Sequence, residues 1–150
     1  MKNLLIIISL LLAGCTAVSP AAKAPEQGTD HISQVCFGEA CFTVEIADTG
    51  AERALGLMHR EYLAPERGML FIFEGNSAYT FWMKNTLIPL DIIWLDEDKH
   101  VVYISEDTPP CKSDPCPSYG PSEPTRYVVE INSGAAKTSN IAVGSQALFQ

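Results

Sequence analysis

Ile92-Ile93-Trp94-Leu95 is apolar at both alternating positions, and the polar tetrad Asp96-Glu97-Asp98-Lys99 and then Val101-Val102-Tyr103-Ile104 follow it. A strand with one wet face alternates apolar with polar residues. A strand apolar at both sets of positions is covered on both sides and lies inside a sheet. The stretch therefore predicts a central strand over Asp91–Leu95, a polar turn, and a second strand from Val101.

Working outward, Gly68–Phe73, Tyr79–Met83 and Tyr127–Ile131 are further aromatic or β-branched runs bounded by turn residues. Val35-Cys36-Phe37, Gly38-Glu39-Ala40 and Cys41–Ala47 read as a hairpin, with Phe42, Val44 and Ile46 alternating against Thr43 and Glu45. Thr49-Gly50-Ala51-Glu52 has the spacing of a capping box, and Ala51, Ala54, Leu55 and Met58 recur at helical intervals, which predicts a short helix over about 51–58. Six of the ten prolines fall between Thr108 and Thr125, so that segment is a loop. The expected fold is mainly β, an antiparallel sandwich or jelly-roll-like barrel with one short α-helix.

The chain opens with Met1-Lys2-Asn3 and an apolar run, Leu4 to Leu12, broken only by Ser9. That run is too short to span a bilayer, which takes about 20 residues. It ends in Leu12-Ala13-Gly14-Cys15, which resembles a lipobox, so residues 1–14 are expected to be a lipoprotein signal peptide and Cys15 the lipidated first residue of the mature protein. Cys15 with Thr16–His31, rich in Ala, Pro, Ser, Gly and Thr and without apolar period, reads as a tether, and residues 32–150 as a single domain. The implied partner is a membrane, reached through lipid on Cys15. In a host with an outer membrane, Thr16 in place of aspartate favours sorting to it, by resemblance to enterobacterial lipoproteins.

Removing residues 1–14 leaves nine Lys and Arg against eighteen Asp and Glu, a formal charge of −9. Without a basic cluster, nucleic acid is not an expected partner. Four cysteines remain in two equally spaced pairs, Cys36 with Cys41 and Cys111 with Cys116. An even count in an exported chain argues for disulfides; three connectivities are open, the two local pairs being the simplest. A four-sulfur zinc site competes on spacing, but an oxidising compartment disfavours it.

The densest stretch runs Arg53-Ala54-Leu55-Gly56-Leu57-Met58-His59-Arg60, then Gly68–Phe73, then Phe81-Trp82-Met83-Lys84-Asn85-Thr86 through Pro89-Leu90-Asp91-Ile92. Together with Tyr119, Tyr127-Val128-Val129-Glu130 and Gly134, it resembles the bacterial family called domain of unknown function 192, over roughly Cys41 to Val143. The resemblance implies a mainly antiparallel β-fold of jelly-roll or sandwich type with a small helix, commonly exported. Gly144-Ser145 departs from the Gly-Asp often found there, so any role for that acid is absent.

Arg53, Arg60, Lys84, Asn85, Asp91 and Glu130 are polar residues among core strands, and with Trp82 as a stacking wall they are the candidate ligand site. An aromatic face beside charged and amide groups suits a sugar or peptide-like ligand of the cell envelope. Against this stand a Lys84–Asp91 ion pair closing a turn, and a Trp82 that is simply core. No His-x-x-x-His pair, Gly-x-Ser-x-Gly elbow or glycine-rich phosphate loop occurs, so neither a catalytic set nor a cofactor is expected. The alternatives are a polysaccharide hydrolase using Asp91 and Glu130, and Cu(I) binding through Met58, Met69 and Met83 with His59, for which core filling is the plainer account.

Overall fold

The computed structural model describes residues 32–150. The expected signal peptide, the expected lipidation site Cys15 and the expected tether lie outside those residues. Seven strands form one curled sheet: β1 (Gln34–Phe37), β2 (Ala40–Ala47), β3 (Arg67–Ser77), β5 (Leu90–Leu95), β6 (Val101–Thr108), β8 (Thr125–Asn132) and β9 (Ala147–Phe149). Their order across the sheet is β6-β5-β8-β3-β2-β1-β9. A separate ribbon pairs β4 (Phe81–Trp82) with β7 (Ser118–Tyr119), and two short helices, α1 (Gly50–Leu55) and α2 (Ala135–Thr138), complete the domain.

The central strand lies where its pattern placed it. β5 is buried along its whole length, between β6 and β8. Its alternate side chains enter two cores: Ile93 and Leu95 pack with Leu70, Val129 and Ile131, while Leu90, Ile92 and Trp94 pack with Met69, Phe71 and Val128. Each large apolar side chain so buried contributes about 1.5–3 kcal/mol, which is why a doubly covered strand carries no alternation. Trp94 satisfies its indole N–H on the Tyr79 carbonyl, at 2.8 Å.

The sheet is mixed. β2 and β3 run parallel, because α1 and the following loop carry the chain back across the sheet between them; the other ladders are antiparallel. Gly68 lies where β3 crosses closest to β8: a Cβ there would stand 2.6 Å from the Glu130 carbonyl oxygen. The two ends of the sheet approach one another, since Val101 N–H donates to the Ser145 carbonyl and Ala147 N–H to that of Lys99, which curls the sheet into a half-barrel.

The expected capping box is present, Thr49 and Glu52 exchanging side-chain-to-backbone hydrogen bonds, but the helix ends at Leu55, three residues early, where Gly56 turns the chain. α2 is an addition to the expected single helix. Both disulfides have the local connectivity, Cys36–Cys41 across the β1–β2 ladder and Cys111–Cys116 within the proline-rich loop. Cysteines bound in this way are not zinc ligands, and disulfides place the domain in an oxidising, extracytoplasmic compartment. Among the described residues no helix is long and apolar enough to cross a membrane.

Candidate functional site

Glu130 sits in the middle of β8, opposite Met69 of β3 and Ile92 of β5, with its side chain on the Trp94 and Phe71 side of the sheet. It is 5% exposed, and among the described residues no hydrogen bond or cation reaches its carboxyl. Desolvation disfavours the charged form, and burial pushes the Glu130 pKa up to about 8, so the group is largely neutral at pH 7. A buried polar group without a partner is costly, and structures retain few of them.

The chain covers Glu130 with a glycine. Gly56 follows α1 at φ 48° and ψ −137°, a conformation open to glycine alone. A Cβ at Gly56 would lie 3.3 Å from the Phe71 ring and 4.0 Å from Glu130 Oε2. The missing side chain leaves a cleft of about 40 Å³, walled by Arg53, Met58, Phe81, Trp82 and Thr86, with Glu130 as its one carboxyl among the described residues. That volume holds one or two groups the size of a water molecule.

Each wall is held from elsewhere. Arg53 donates to the carbonyls of Asp48 and Ile72 and stacks over the Phe73 ring at 5.2 Å, so it is committed to backbone and aromatic partners. Phe81 packs edge-on against Phe71 and Trp94, while the next residue, Trp82, is half exposed. Trp82 is not core, contrary to what an aromatic in a strand suggests: β4 pairs only with β7, and that ribbon leaves its outer face in solvent. The Lys84 ammonium lies 5.5 Å from the Trp82 ring centroid. Thr86 is buried, and among the described residues its hydroxyl makes no hydrogen bond. Asn85 adopts a left-handed backbone at φ 57°; its carbonyl accepts from His59 N–H and its amide meets the Met58 sulfur at 4.0 Å.

Arg53, Trp82 and Glu130 thus share one cleft, with Lys84 against the Trp82 ring and Asn85 against Met58. Two other expected members do not join them. Asp91 is fully buried on the opposite face of the sheet, where its carboxylate accepts from the backbone N–H groups of Asp107 and Ala136, both at 2.8 Å. Arg60 makes a bidentate pair with Glu45, at 2.6 and 2.5 Å, which holds the Glu45 carboxyl below its ordinary range.

The expected Lys84–Asp91 pair does not form; Lys84 reaches Asp114 of the stapled loop at 3.2 Å. Asp91 and Glu130 share no cleft, so they are not the two carboxylates of a glycoside hydrolase site. Met69 and Met83 are core residues, only Met58 reaches the cleft, and His59 is exposed. Among the described residues no three His, Cys, Asp or Glu are placed to hold a metal. Gly56, Thr86 and Phe81 stand in the dense motif but not among the candidate site residues; a glycine inside the predicted helix is the one local signal of the break that opens the cleft.

A wider groove of about 850 Å³ runs past Tyr62, Leu63, Ile88 and Pro89. It is the larger hollow, but Asn132 on its wall is spent on the Leu63 and Ala64 carbonyls, and among the described residues no buried ionisable group lines it. The buried ionisable group, Glu130, lines the smaller cleft.

Fold and cleft together define a small disulfide-braced β half-barrel with a neutral carboxyl buried beneath an exposed indole. The chain belongs to the family of domain of unknown function 192, described as "Uncharacterized ACR", which matches residues 33–149. Among solved structures it is similar to a protein of unknown function from Novosphingobium aromaticivorans DSM 12444, with a TM-score of 0.72 at 36% identity over 87% of this chain and 94% of that one. It is also similar to a protein from Sinorhizobium meliloti 1021 described as a candidate transcription regulator, with a TM-score of 0.70 at 32% identity over 77% of this chain and 90% of that one. No curated protein matches the chain.

Proposed function

We propose that this protein is a lipid-anchored, extracytoplasmic binding protein, not an enzyme, that recognises a sugar or peptide-like component of the cell envelope at the Glu130 cleft. One observation carries the reading: a buried carboxyl without a partner among the described residues lines a cleft whose outer wall is the half-exposed Trp82. Such a carboxyl is costly to the fold and is explained by a ligand group that bonds to it. An indole face beside it suits the flat side of a sugar ring or a peptide plane. The lipobox ending at Cys15 supplies the anchor, and Thr16 favours the outer membrane.

Hydrolysis of a polysaccharide is the weaker reading, since among the described residues Glu130 is the one acid of the cleft. DNA binding, suggested by the description of the Sinorhizobium protein, has no counterpart in a chain of net charge −8 without a basic cluster.

The test uses Trp82→Ala and Glu130→Leu. Retention of the full-length protein on immobilised peptidoglycan, polysaccharide and envelope extract is measured beside its melting temperature. Trp82→Ala should lower retention at least tenfold, about 1.4 kcal/mol, with little change in Tm. Glu130→Leu should abolish retention while Tm holds or rises, because an apolar group replaces an unpartnered buried one. Unchanged retention in both variants overturns the proposal.

A further inference from the structure

The Glu130 cleft carries a second question, the charge of the group it admits. We infer that the cleft selects an uncharged hydrogen-bonding group of the ligand, an acetamido or amide carbonyl or a sugar hydroxyl, held between the Glu130 carboxyl and the Thr86 hydroxyl, and that it excludes ammonium and carboxylate groups. This rests on the binding site proposed above and adds the chemistry of its occupant.

Three features point that way. Glu130 and Thr86 are both buried and both without a side-chain partner among the described residues, so two hydroxyl donors and several acceptors face a space that fits one or two heavy-atom groups. Among the described residues, β3 and β5 present Met69, Phe71 and Ile92 to Glu130, the 81–86 segment presents Phe81 and Trp82, and the one charge comes from α1, Arg53. An ammonium would meet that guanidinium and would need two charges desolvated together. A carboxylate would give up its hydration without gaining a cation, because Arg53 is already held by two carbonyls and the Phe73 ring.

A neutral amide or hydroxyl meets neither penalty, provided that Glu130 keeps its proton. With burial placing that ionisation at about pH 8, the binding-competent fraction is nearly complete at pH 6.5 and falls to about one in thirty at pH 9.5.

The experiment titrates the full-length protein in detergent with four probes: N-acetylglucosamine tetramer, glucosamine tetramer, galacturonate tetramer and capped tetra-alanine amide. Of the two tryptophans, Trp94 is fully buried, so quenching reports Trp82, with Trp82→Phe as the blank. At pH 6.5 the acetylated sugar or the capped peptide should bind and the two charged oligomers should not; which of the first two binds distinguishes a glycan from a peptide. Raising the pH to 9.5 should weaken that binding about 30-fold, and in Glu130→Gln the ratio between the two pH values should collapse towards one.

Preference for the glucosamine or galacturonate tetramer at pH 6.5, or a wild-type affinity unmoved by pH, overturns this inference and leaves the binding site standing. Absence of any quenching by all four probes at both pH values, together with unchanged retention of Trp82→Ala on envelope material, overturns the site and the inference together.

Discussion

Asp91 and Glu130 are one register step apart on the β5–β8 ladder, Asp91 opposite Ile131 and Ile92 opposite Glu130, and their carboxyl groups consequently enter opposite cores of the same sheet. One is bonded twice to backbone and the other to nothing among the described residues. Two buried acids of one sheet therefore have different tasks, and substitutions should separate them.

Asp91 ties β5 to the end of β6 and to the start of α2. Asp91→Ala leaves two backbone N–H groups, those of Asp107 and Ala136, without an acceptor, at about 1–3 kcal/mol each. The expected outcome in a urea titration is a loss of about 2–5 kcal/mol, with ligand retention intact in whatever fraction remains folded. A variant as stable as wild type would deny the carboxylate its bracing role.

Glu130 links stability to pH with the opposite sign from a salt-bridged acid. Its folded pKa, about 8, lies above the ordinary glutamate value of 4.5, so between those pH values the folded state binds more protons than the unfolded one. Wild-type stability should be greatest below about pH 4.5 as far as this group is concerned, decline as the pH rises to about 8, and level off beyond. The total change is on the order of a few kcal/mol. Glu130→Leu should lose this slope, so the difference between the two urea midpoints across pH 5–8 measures it directly.

Lys84 and Asn85 test the rim. The Lys84–Asp114 pair is partly solvated, and Lys84→Ala should change stability by no more than about 1 kcal/mol. Asn85 occupies a left-handed conformation, so Asn85→Ala should cost about 1 kcal/mol and Asn85→Gly less. Both alanine variants should nevertheless lose envelope retention. A fall of several kcal/mol in either would make this turn scaffold.

The Cys111–Cys116 loop carries Asp114, the partner of Lys84, and leads into β7, the partner of the strand that presents Trp82. Replacing both cysteines with serine removes about 2 kcal/mol of loop constraint. Hydrogen exchange should then accelerate over residues 111–119 and at Phe81–Trp82 before it does so in β5 or β8. Uniform acceleration would place the effect in the whole fold instead.

The anchor is tested at its thiol. Cys15→Ala should abolish fatty-acid labelling and leave an uncleaved precursor, since no sulfur remains to carry the diacylglyceryl group. Labelling that persists would remove the lipoprotein assignment.

Strand identity, the central place of β5 and the capped start of α1 were readable from local order, because burial on two faces and a Thr-to-Glu capping box write themselves into neighbouring residues. So was the pairing of cysteines five residues apart. The site was readable only as a collection of unusual residues. Which of them meet depends on the side of the sheet each side chain takes and on what crosses above it. One step of register sent Asp91 to the far core, Glu45 drew Arg60 away, and the turn at Gly56 opened the space over Glu130. Residues far apart in the chain have no local signature for that, since a cleft is made by the packing of elements upon one another. The sequence determined the elements and the chemistry available to them; the tertiary structure alone decided that a buried acid and an exposed indole border the same cleft.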